Sequence, residues 1–263
     1  MKKVRLAEYS VKSNKLSDVW KGYSFVMIAD YHNNEYGICD EAVLEMIDEI
    51  HPDCIMLAGD MVVAVPGKDN SRAYRFIKAL ADKYTVYYGY GNHEYRLKIY
   101  PKTYGSMYRE FLEHTTHKNI IRLENETAVI RRGGEHINVR GIEIDRRFYK
   151  RFGRIDMPAG YISKKVGHAS KESYEILIAH NPRYFESYAQ YGADLVLSGH
   201  VHGGLVRLPL LGGVLSPDIR FFPKYDYGRF TSGNATMLLT GGLGAHTLKI
   251  RMFNPPEIVA VRF

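Results

Sequence analysis

The sequence predicts an α/β protein in which two mixed sheets face each other and are flanked by helices. Two observations indicate this fold class. Strand-like apolar runs alternate with amphipathic helical segments through the first half of the 263-residue chain, and hairpin and strand patterns dominate the second half. Alternating strands and helices are typical of a parallel sheet covered by helices. Because no linker, composition break or internal repeat interrupts the chain, we predict one domain over residues 1–263.

In the first half, apolar runs predict three strands, at Phe25–Ala29, Ile55–Gly59 and Val86–Gly91. Between the first two strands, Asp40–Ile50 has apolar residues at helical spacing. Its first turn carries acidic residues, which the helix dipole favours there. The same spacing predicts a second helix over Ser71–Tyr84 and a third over Tyr104–His114. Together these segments form a βαβαβ series.

The second half of the chain predicts a different arrangement. A hairpin is indicated over Ala128–Arg140, because strand-like residues flank the pair Gly133-Gly134. After a helix-poor segment, a short helix is predicted to begin at Asn181-Pro182 and to end at Tyr188. Further apolar runs predict strands at Ile176–Ala179, Leu195–Gly199, Ala235–Leu239 and Glu257–Val261.

Five of the predicted strands are followed at once by residue types that can bind a metal ion. In chain order these residues are Asp30 with His32, Asp60, Asn92 with His93, His180, and His200 with His202. If the five runs are neighbours, we expect these side chains to lie at one edge of one buried sheet. Carboxylate, imidazole and amide-oxygen ligands together suit divalent ions such as Mn²⁺, Fe²⁺, Co²⁺ or Zn²⁺.

A carboxylate in such a cluster can bridge two ions, and a pair of ions has a definite chemistry. Two metals roughly 3.5–4 Å apart lower the pKa of a bridging water and hold the oxygens of a phosphoryl group during in-line displacement. The residues therefore predict hydrolysis of a phosphoester by a metal-bridging hydroxide.

At these residues the chain resembles the calcineurin-like metallophosphoesterases. Their motifs D-x-H, G-D, G-N-H-[DE], H and G-H-x-H are matched in order by Asp30/His32, Gly59-Asp60, Gly91 to Glu94, His180 and Gly199 to His202. The resemblance implies a four-layer α/β/β/α sandwich and one metal on Asp30, His32 and His202. It implies a second metal on Asn92, His180 and His200, with Asp60 as the bridge. His93 would contact the phosphate as general acid, whereas Glu94 is expected to support its loop.

Further motifs at 199–209, 240–244 and 253–258 resemble a bacterial branch of that superfamily. The branch includes cell-wall-associated and UDP-2,3-diacylglucosamine-cleaving phosphoesterases. We therefore expect a phosphodiesterase or pyrophosphatase with two divalent ions, Mn²⁺ favoured, and a nucleotide- or lipid-linked substrate. A nuclease of the same fold is an alternative, although no capping domain or long basic surface for duplex DNA is visible. A non-catalytic scaffold is disfavoured because every ligand is retained.

One position departs from the family pattern. An acid commonly stands three residues after the bridging aspartate and orients the catalytic histidine, but this chain has Val63 there. Carboxylates behind a functional histidine fix its tautomer and orientation. We therefore expect His93 to be a weaker acid, which favours diesters over alkyl monoesters.

Charge and aromatic residues suggest what surrounds the site. The net charge of +7 suits an anionic ligand and leaves phosphate, nucleic acid and acidic lipid open. Basic and aromatic residues interleave at 145–154, and aromatic residues recur at 221–227. These stretches could bind nucleic acid, lie peripherally on an anionic membrane, or form a solvated loop over the site.

The sequence also suggests a compartment. We see no export signal at the start of the chain and no window with the roughly 18 apolar residues that a membrane span needs. Cys39 and Cys54 stand outside any spaced metal motif and are expected to be reduced thiols. We therefore expect a cytoplasmic protein. Its oligomeric state has no signal in the sequence.

Overall fold

The computed structural model describes residues 3–150, 153, 155–204, 206–208, 212–215, 224–244, 251 and 254–263. The strands are β1 Arg5–Ser10, β2 Ser24–Ile28, β3 Cys54–Ala58, β4 Thr85–Gly89, β5 Ile120–Leu123, β6 Glu126–Arg132, β7 Glu135–Gly141, β8 Tyr174–Ile178, β9 Leu195–Ser198, β10 Val206–Leu208, β11 Gly212–Leu215, β12 Gly228–Ser232, β13 Ala235–Leu239 and β14 Glu257–Arg262. The α-helices are α1 Asp40–Ile50, α2 Ser71–Lys83, α3 Asn92–Ile99, α4 Pro101–Tyr104, α5 Met107–His114, α6 Tyr161–Val166 and α7 Phe185–Tyr191. Short 3-10 helices cover Asp18–Trp20, His32–Asn34, Arg146–Tyr149 and Pro182–Tyr184.

The first sheet has the strand order β1-β14-β2-β3-β4-β5. Strands β2 to β5 run parallel, as the βαβαβ pattern predicts, and β14 runs antiparallel to β2. Both faces of the inner strands are covered, which explains why their apolar runs are continuous rather than alternating. Val26 and Ile28 face one core, whereas Phe25 and Met27 face the other.

The second sheet has the order β12-β13-β9-β8-β7-β6. Its four inner strands are parallel, and its two edges are closed by antiparallel pairs. One of these pairs, β6 with β7, is the predicted hairpin around Gly133-Gly134. The short pair β10 and β11 forms a separate antiparallel ribbon.

Three apolar cores separate four layers. Met27 and Met56 of the first sheet pack against Ile176 and Leu197 of the second, so the two sheets face each other. Helices α1, α2 and α5 cover the outer face of the first sheet. Helices α6 and α7 cover the outer face of the second. The predicted α/β/β/α sandwich is therefore confirmed.

Two local predictions were wrong. The helix expected over Tyr104–His114 is broken, because Gly105 has a φ of +57° and separates α4 from α5. More importantly, the five strands that carry metal-type residues do not belong to one sheet. Strands β2, β3 and β4 lie in the first sheet and β8 and β9 in the second, so the site lies between two sheets.

Candidate metal centre

Loops from both sheets converge at the carboxyl ends of their strands. Asp30 and His32 follow β2, Asp60 follows β3, Asn92 and His93 begin α3 after β4, His180 follows β8, and His200 and His202 follow β9. Backbone bonds join the first two loops, from Asp30 N–H to Gly59 O (3.0 Å) and from His32 N–H to Asp60 O (3.1 Å). The backbone N–H of His200 donates to Asp30 Oδ2 at 2.9 Å, which ties the second sheet to the first.

Two glycines allow the loops to approach this closely. A Cβ atom on Gly91 would lie 2.2 Å from Asp60 Oδ1, and one on Gly199 would lie 2.6 Å from Asp30 Oδ2. These distances are far below any real carbon–oxygen contact, so neither position tolerates a side chain without displacing a carboxylate. The glycines of the G-N-H and G-H-x-H motifs are therefore a packing requirement of the site.

Backbone strain is concentrated in the same loops. The described non-glycine residues with a positive φ include Asp30 (52°), His32 (47°), Asp60 (54°), His200 (76°) and His202 (51°). Residues in this left-handed region cost of order 1 kcal/mol each and persist only where their surroundings determine them. Five of the seven predicted ligands thus have the strained backbone that is typical of functional sites.

Asp30, His32 and His202 form the first group of converging ligand atoms. The Nε2 atoms of His32 and His202 lie 3.1 Å apart, and Asp30 Oδ1 lies 3.5 Å from His202 Nε2. All three residues are buried. This is the set that the family resemblance implies for one metal.

Asp60, His180 and His200 form a second group. His180 Nδ1 lies 2.7 Å from Ala58 O, so Nδ1 carries a proton and donates it to that carbonyl. The other ring nitrogen, Nε2, lies 3.1 Å from Asp60 Oδ2. Asn92 Oδ1 is buried and has no hydrogen-bond partner among the described residues. A buried acceptor oxygen in that state fits the ligand role that the family resemblance implies for Asn92.

The electrostatics of the cluster also fit a cation. Burial would lower the pKa of His180, but the carboxylates of Asp60 and Asp30 outweigh it and raise the pKa to about 10. Burial raises the pKa of Asp30 to about 6, against the opposing effect of His180. Two buried carboxylates surrounded by imidazoles therefore attract positive charge, whether a proton or a divalent ion supplies it.

His93 lies at the edge of this cluster, and its ligand atoms also group with those of His32 and Asp60. Its backbone N–H donates to Asp60 Oδ1 at 2.7 Å, and its ring Nδ1 accepts from the backbone N–H of Ala64 at 2.8 Å. Val63, which replaces the usual acid, is buried and bonds Asn70 through its backbone. The neighbouring peptide thus supplies the partner for the His93 ring that the sequence lacked.

Glu94 supports the loops, as expected. Its carboxylate accepts hydrogen bonds from the backbone N–H groups of Asp60 (2.9 Å), Met61 (2.8 Å) and Gly91 (2.9 Å). The hydroxyl of Tyr88 donates to it at 2.8 Å. One buried carboxylate therefore holds the G-D loop against the G-N-H loop.

Sequence reasoning missed Glu143. It follows β7, is 5% exposed, and its Oε2 has no hydrogen-bond partner among the described residues. Burial raises its pKa to about 7, although Lys98 and Lys165 oppose the shift. No motif marks this position. Its apolar neighbours, Ile142 and Ile144, are the only hint in the sequence that the side chain lies in a buried segment.

The basic and aromatic stretches are partly described. Phe148 is buried against Tyr161 and Tyr184, and the ring of Tyr149 lies 5.3 Å from that of His200. Phe148 and Tyr225 are buried and pack inward, whereas Arg146, Arg147 and Lys150 are exposed. Arg151, Phe152, Arg154 and 221–223 lie outside the described residues. Within the part of the chain that is described, no helix has the length and apolar character needed to cross a bilayer.

The family model for calcineurin-like phosphoesterases matches residues 23–204. This range is well over half of the chain and contains every predicted site residue. The chain therefore belongs to the calcineurin-like phosphoesterase family. As a member it is a metallophosphoesterase, an enzyme that hydrolyses phosphoric esters.

Three bacterial relatives are similar over most of the chain. The uncharacterized metallophosphoesterase YkuE of Bacillus subtilis is 26% identical over 264 residues, covering 97% of this chain and 84% of YkuE. The phosphodiesterase YaeI of Escherichia coli is 26% identical over 241 residues, covering 90% and 80%. The UDP-2,3-diacylglucosamine pyrophosphatase LpxG of Chlamydia muridarum is 23% identical over 293 residues, covering 92% and 83%. A 5'-nucleotidase precursor from Thermus thermophilus shares the fold, with a TM-score of 0.50, 14% identity, and coverage of 84% of this chain and 49% of that one.

Proposed function

We propose that this protein is a dinuclear metal-dependent phosphohydrolase that cleaves phosphodiester or pyrophosphate bonds. One observation carries the proposal: the group with Asp30, His32 and His202 adjoins the group with Asp60, His180 and His200. Asp30 Oδ1 of the first lies 3.7 Å from His180 Nε2 of the second. The carboxylates are buried, so a pair of cations would compensate charge that solvent cannot reach. The mixed ligands suit Mn, Fe, Zn and Co, and among these we favour Mn²⁺ because carboxylate and amide oxygens suit it best.

The proposed roles combine these two groups with the ligand set that the family resemblance implies. Asp30, His32 and His202 would hold one ion, Asn92, His180 and His200 would hold the other, and Asp60 would bridge them. The Nδ1–H of His180 bonds Ala58 O, which leaves Nε2 free to act as a ligand once its proton is displaced. When bound, the ions would supply Lewis acidity and an activated water.

His93 would bind the substrate through Nε2, which lies 4.0 Å from Asp60 Oδ2. A backbone N–H can only donate, so the bond from Ala64 requires a lone pair on Nδ1 and places the ring proton on Nε2. Nε2–H is then a hydrogen-bond donor for a phosphoryl oxygen or for the leaving oxygen. A second proton on the ring would break the Ala64 bond, so His93 is better suited to stabilise charge than to protonate a poor leaving group.

This chemistry favours diesters and pyrophosphates. An alkyl monoester needs strong protonation of its leaving alkoxide, whereas a phosphate anhydride or an activated diester leaves with less help. The names of two relatives support the same direction, since YaeI is called a phosphodiesterase and LpxG a pyrophosphatase. A nucleotide- or lipid-linked pyrophosphate is therefore the substrate class that we favour.

A phosphoester panel on Mn²⁺-loaded protein tests the proposal. We expect turnover of the bis-nitrophenyl ester and of nucleotide-sugar or lipid pyrophosphates, with slower turnover of the nitrophenyl monoester. Asn92→Ala should abolish activity, whereas Asn138→Ala should keep it, because Asn138 bonds Glu175 away from the cluster. A faster reaction with the monoester would contradict the diester preference.

Two alternatives have their own outcomes in that panel. Cleavage of DNA or RNA in preference to the small diester would indicate a nuclease of the same fold. A metal-loaded protein that is inert toward every phosphoester would indicate a scaffold. Either result would overturn the proposed activity.

A further inference from the structure

A segment beyond the matched family range packs behind the candidate metal centre. It comprises Gly241–Gly244, Arg251 and Asn254, and we call these residues the C-terminal brace. The family model ends at residue 204, so none of these residues belongs to its matched motifs. Their contacts with the site are nevertheless direct.

The first contact of the brace is with Asp30. The backbone N–H of Gly244 donates to Asp30 O at 2.6 Å, and that of Leu243 donates to Ala29 O at 3.1 Å. A Cβ atom on Gly242 would lie 2.6 Å from the Cβ of Asp30, so the backbone of the turn packs directly against Asp30. A glycine-rich turn therefore packs against the backbone of Asp30 and hydrogen-bonds to it.

Arg251 holds that turn in shape. Its guanidinium donates to the carbonyl oxygens of Gly242 (2.9 Å) and Gly244 (2.5 Å) and also to that of Gly241. Its Nε donates to Asn254 O at 3.1 Å, which links the turn to the second part of the brace. The planar guanidinium of Arg251 thus donates to four carbonyl oxygens and joins the residues that carry them.

The second contact of the brace is with His202. The side-chain amide of Asn254 donates to His202 O and, at 2.9 Å, to Gly204 O. Asn254 is 5% exposed. Removing this side chain would leave two carbonyl oxygens without their donor in a buried place.

Both contacted residues have strained backbones. Asp30 has a φ of 52° and His202 a φ of 51°, and the brace bonds the carbonyl oxygen of each. Such conformations persist only where neighbouring groups determine them. The brace bonds the carbonyl oxygens of both residues in these conformations and so stabilises them.

Asp30 and His202 also belong to the same ligand group. Asp60 of the other group has a support of its own, because Glu94 bonds the backbones of Asp60 and Gly91. We propose that Arg251 and Asn254 are positioning residues for the Asp30–His32–His202 metal and set the affinity of that ion selectively. This inference rests on the ligand roles given under the proposed function.

Titration with Mn²⁺ alone, followed by electron paramagnetic resonance, tests the inference without reference to activity. We expect two sites in the wild-type protein. In Asn254→Ala, one site should weaken by about 10- to 100-fold, as is typical when a residue behind a ligand is lost. The other site should keep its affinity. Asn138→Ala is the matched control, because it removes an asparagine of similar burial that bonds Glu175 instead.

A double-mutant cycle assigns the weakened site. In a His202→Ala background, Asn254→Ala should cause little further loss, because that site is already lost. In a His180→Ala background, it should keep its full effect. Arg251→Lys retains the charge but not the fork of donors, and it should weaken the same site with a smaller effect on folding. Arg251→Lys therefore provides the test if the Asn254→Ala protein does not fold.

The outcomes separate the two claims. Two unaltered sites in folded Asn254→Ala or Arg251→Lys would overturn the inference and leave the proposed function intact. Equal weakening of both sites would also overturn it, because it would indicate a general loss of structure. A wild-type protein that binds no divalent ion would overturn the proposed function and this inference with it.

Discussion

The backbone N–H of Ala64 donates a hydrogen bond to Nδ1 of His93, and the two atoms are 2.8 Å apart. In the family pattern that the sequence resembles, an acid stands at the position of Val63, and its carboxylate would accept a hydrogen bond from the ring. Here the direction of the hydrogen bond is reversed, since the peptide donates and the ring accepts. The peptide orients His93 through an uncharged bond, which is weaker than a bond to a carboxylate, and places the ring proton on the opposite nitrogen.

His93→Asn should therefore reduce catalysis without removing metal. Loss of a positioned donor costs about 10²- to 10⁴-fold in rate. The loss should be larger for substrates with poor leaving groups than for nitrophenyl esters. Steady-state kinetics on both classes, with metal content measured alongside, checks this. Loss of a bound ion in the variant would instead identify His93 as a ligand.

Glu94→Gln should destabilise the protein and loosen the centre. The carboxylate accepts from three backbone N–H groups and from Tyr88, and a side-chain amide would place its own N–H groups against some of these donors. We expect the free energy of unfolding to fall by about 2 to 4 kcal/mol. Tyr88→Phe removes only one of the bonds and should cost about 1 kcal/mol. Urea unfolding of the two variants gives the comparison, and equal losses would contradict the central role of Glu94.

Glu143 should make the free energy of unfolding depend on pH. Burial raises its pKa from 4.5 to about 7, so the folded state binds a proton that the unfolded state releases between these values. The raised pKa contributes to the free energy of unfolding fully below about pH 4.5. This contribution is lost as the pH rises to about 7, and the full loss is on the order of 3 kcal/mol. Glu143→Gln should therefore be more stable than the wild type at pH 8 and similar at pH 4.5. Thermal melts of both proteins at both pH values test this. A wild type that is more stable than Glu143→Gln at pH 8 would contradict the prediction.

Metal uptake should release a proton from His180. Without a cation its pKa is raised to about 10 by Asp60 and Asp30, against the effect of burial, so it is protonated at neutral pH. A metal must displace that proton, and its affinity should rise with pH up to about 10. Mn²⁺ calorimetry in buffers of different ionisation enthalpy measures the protons released. His136→Ala is a control on a distant histidine and should leave the release unchanged. A release of zero would contradict this prediction.

Much of the fold was predictable because both faces of the inner strands are buried. Continuous apolar runs such as Phe25–Ala29 then identify strands, and the amphipathic segment Asp40–Ile50 identifies a helix with matching ends. The break at Gly105 was not predictable from periodicity, because apolar spacing continues across it. The assignment of strands to two sheets was also beyond reach, since β-strand pairing is a long-range property.

The expected ligand set and the reaction class could be predicted from sequence alone, because metal binding depends on residue types and on their place after buried strands. The supports of the ligands were decided by the tertiary structure. Ala64 acts through its peptide, and Glu94 through bonds to distant backbone groups. Asn254 acts through the carbonyls of His202 and Gly204, which are distant in the chain, and Arg251 through the carbonyls of a nearby turn. Backbone donors and acceptors are the same in every residue, so their partners leave no mark in a motif. Only the folded chain specifies which peptide meets which side chain.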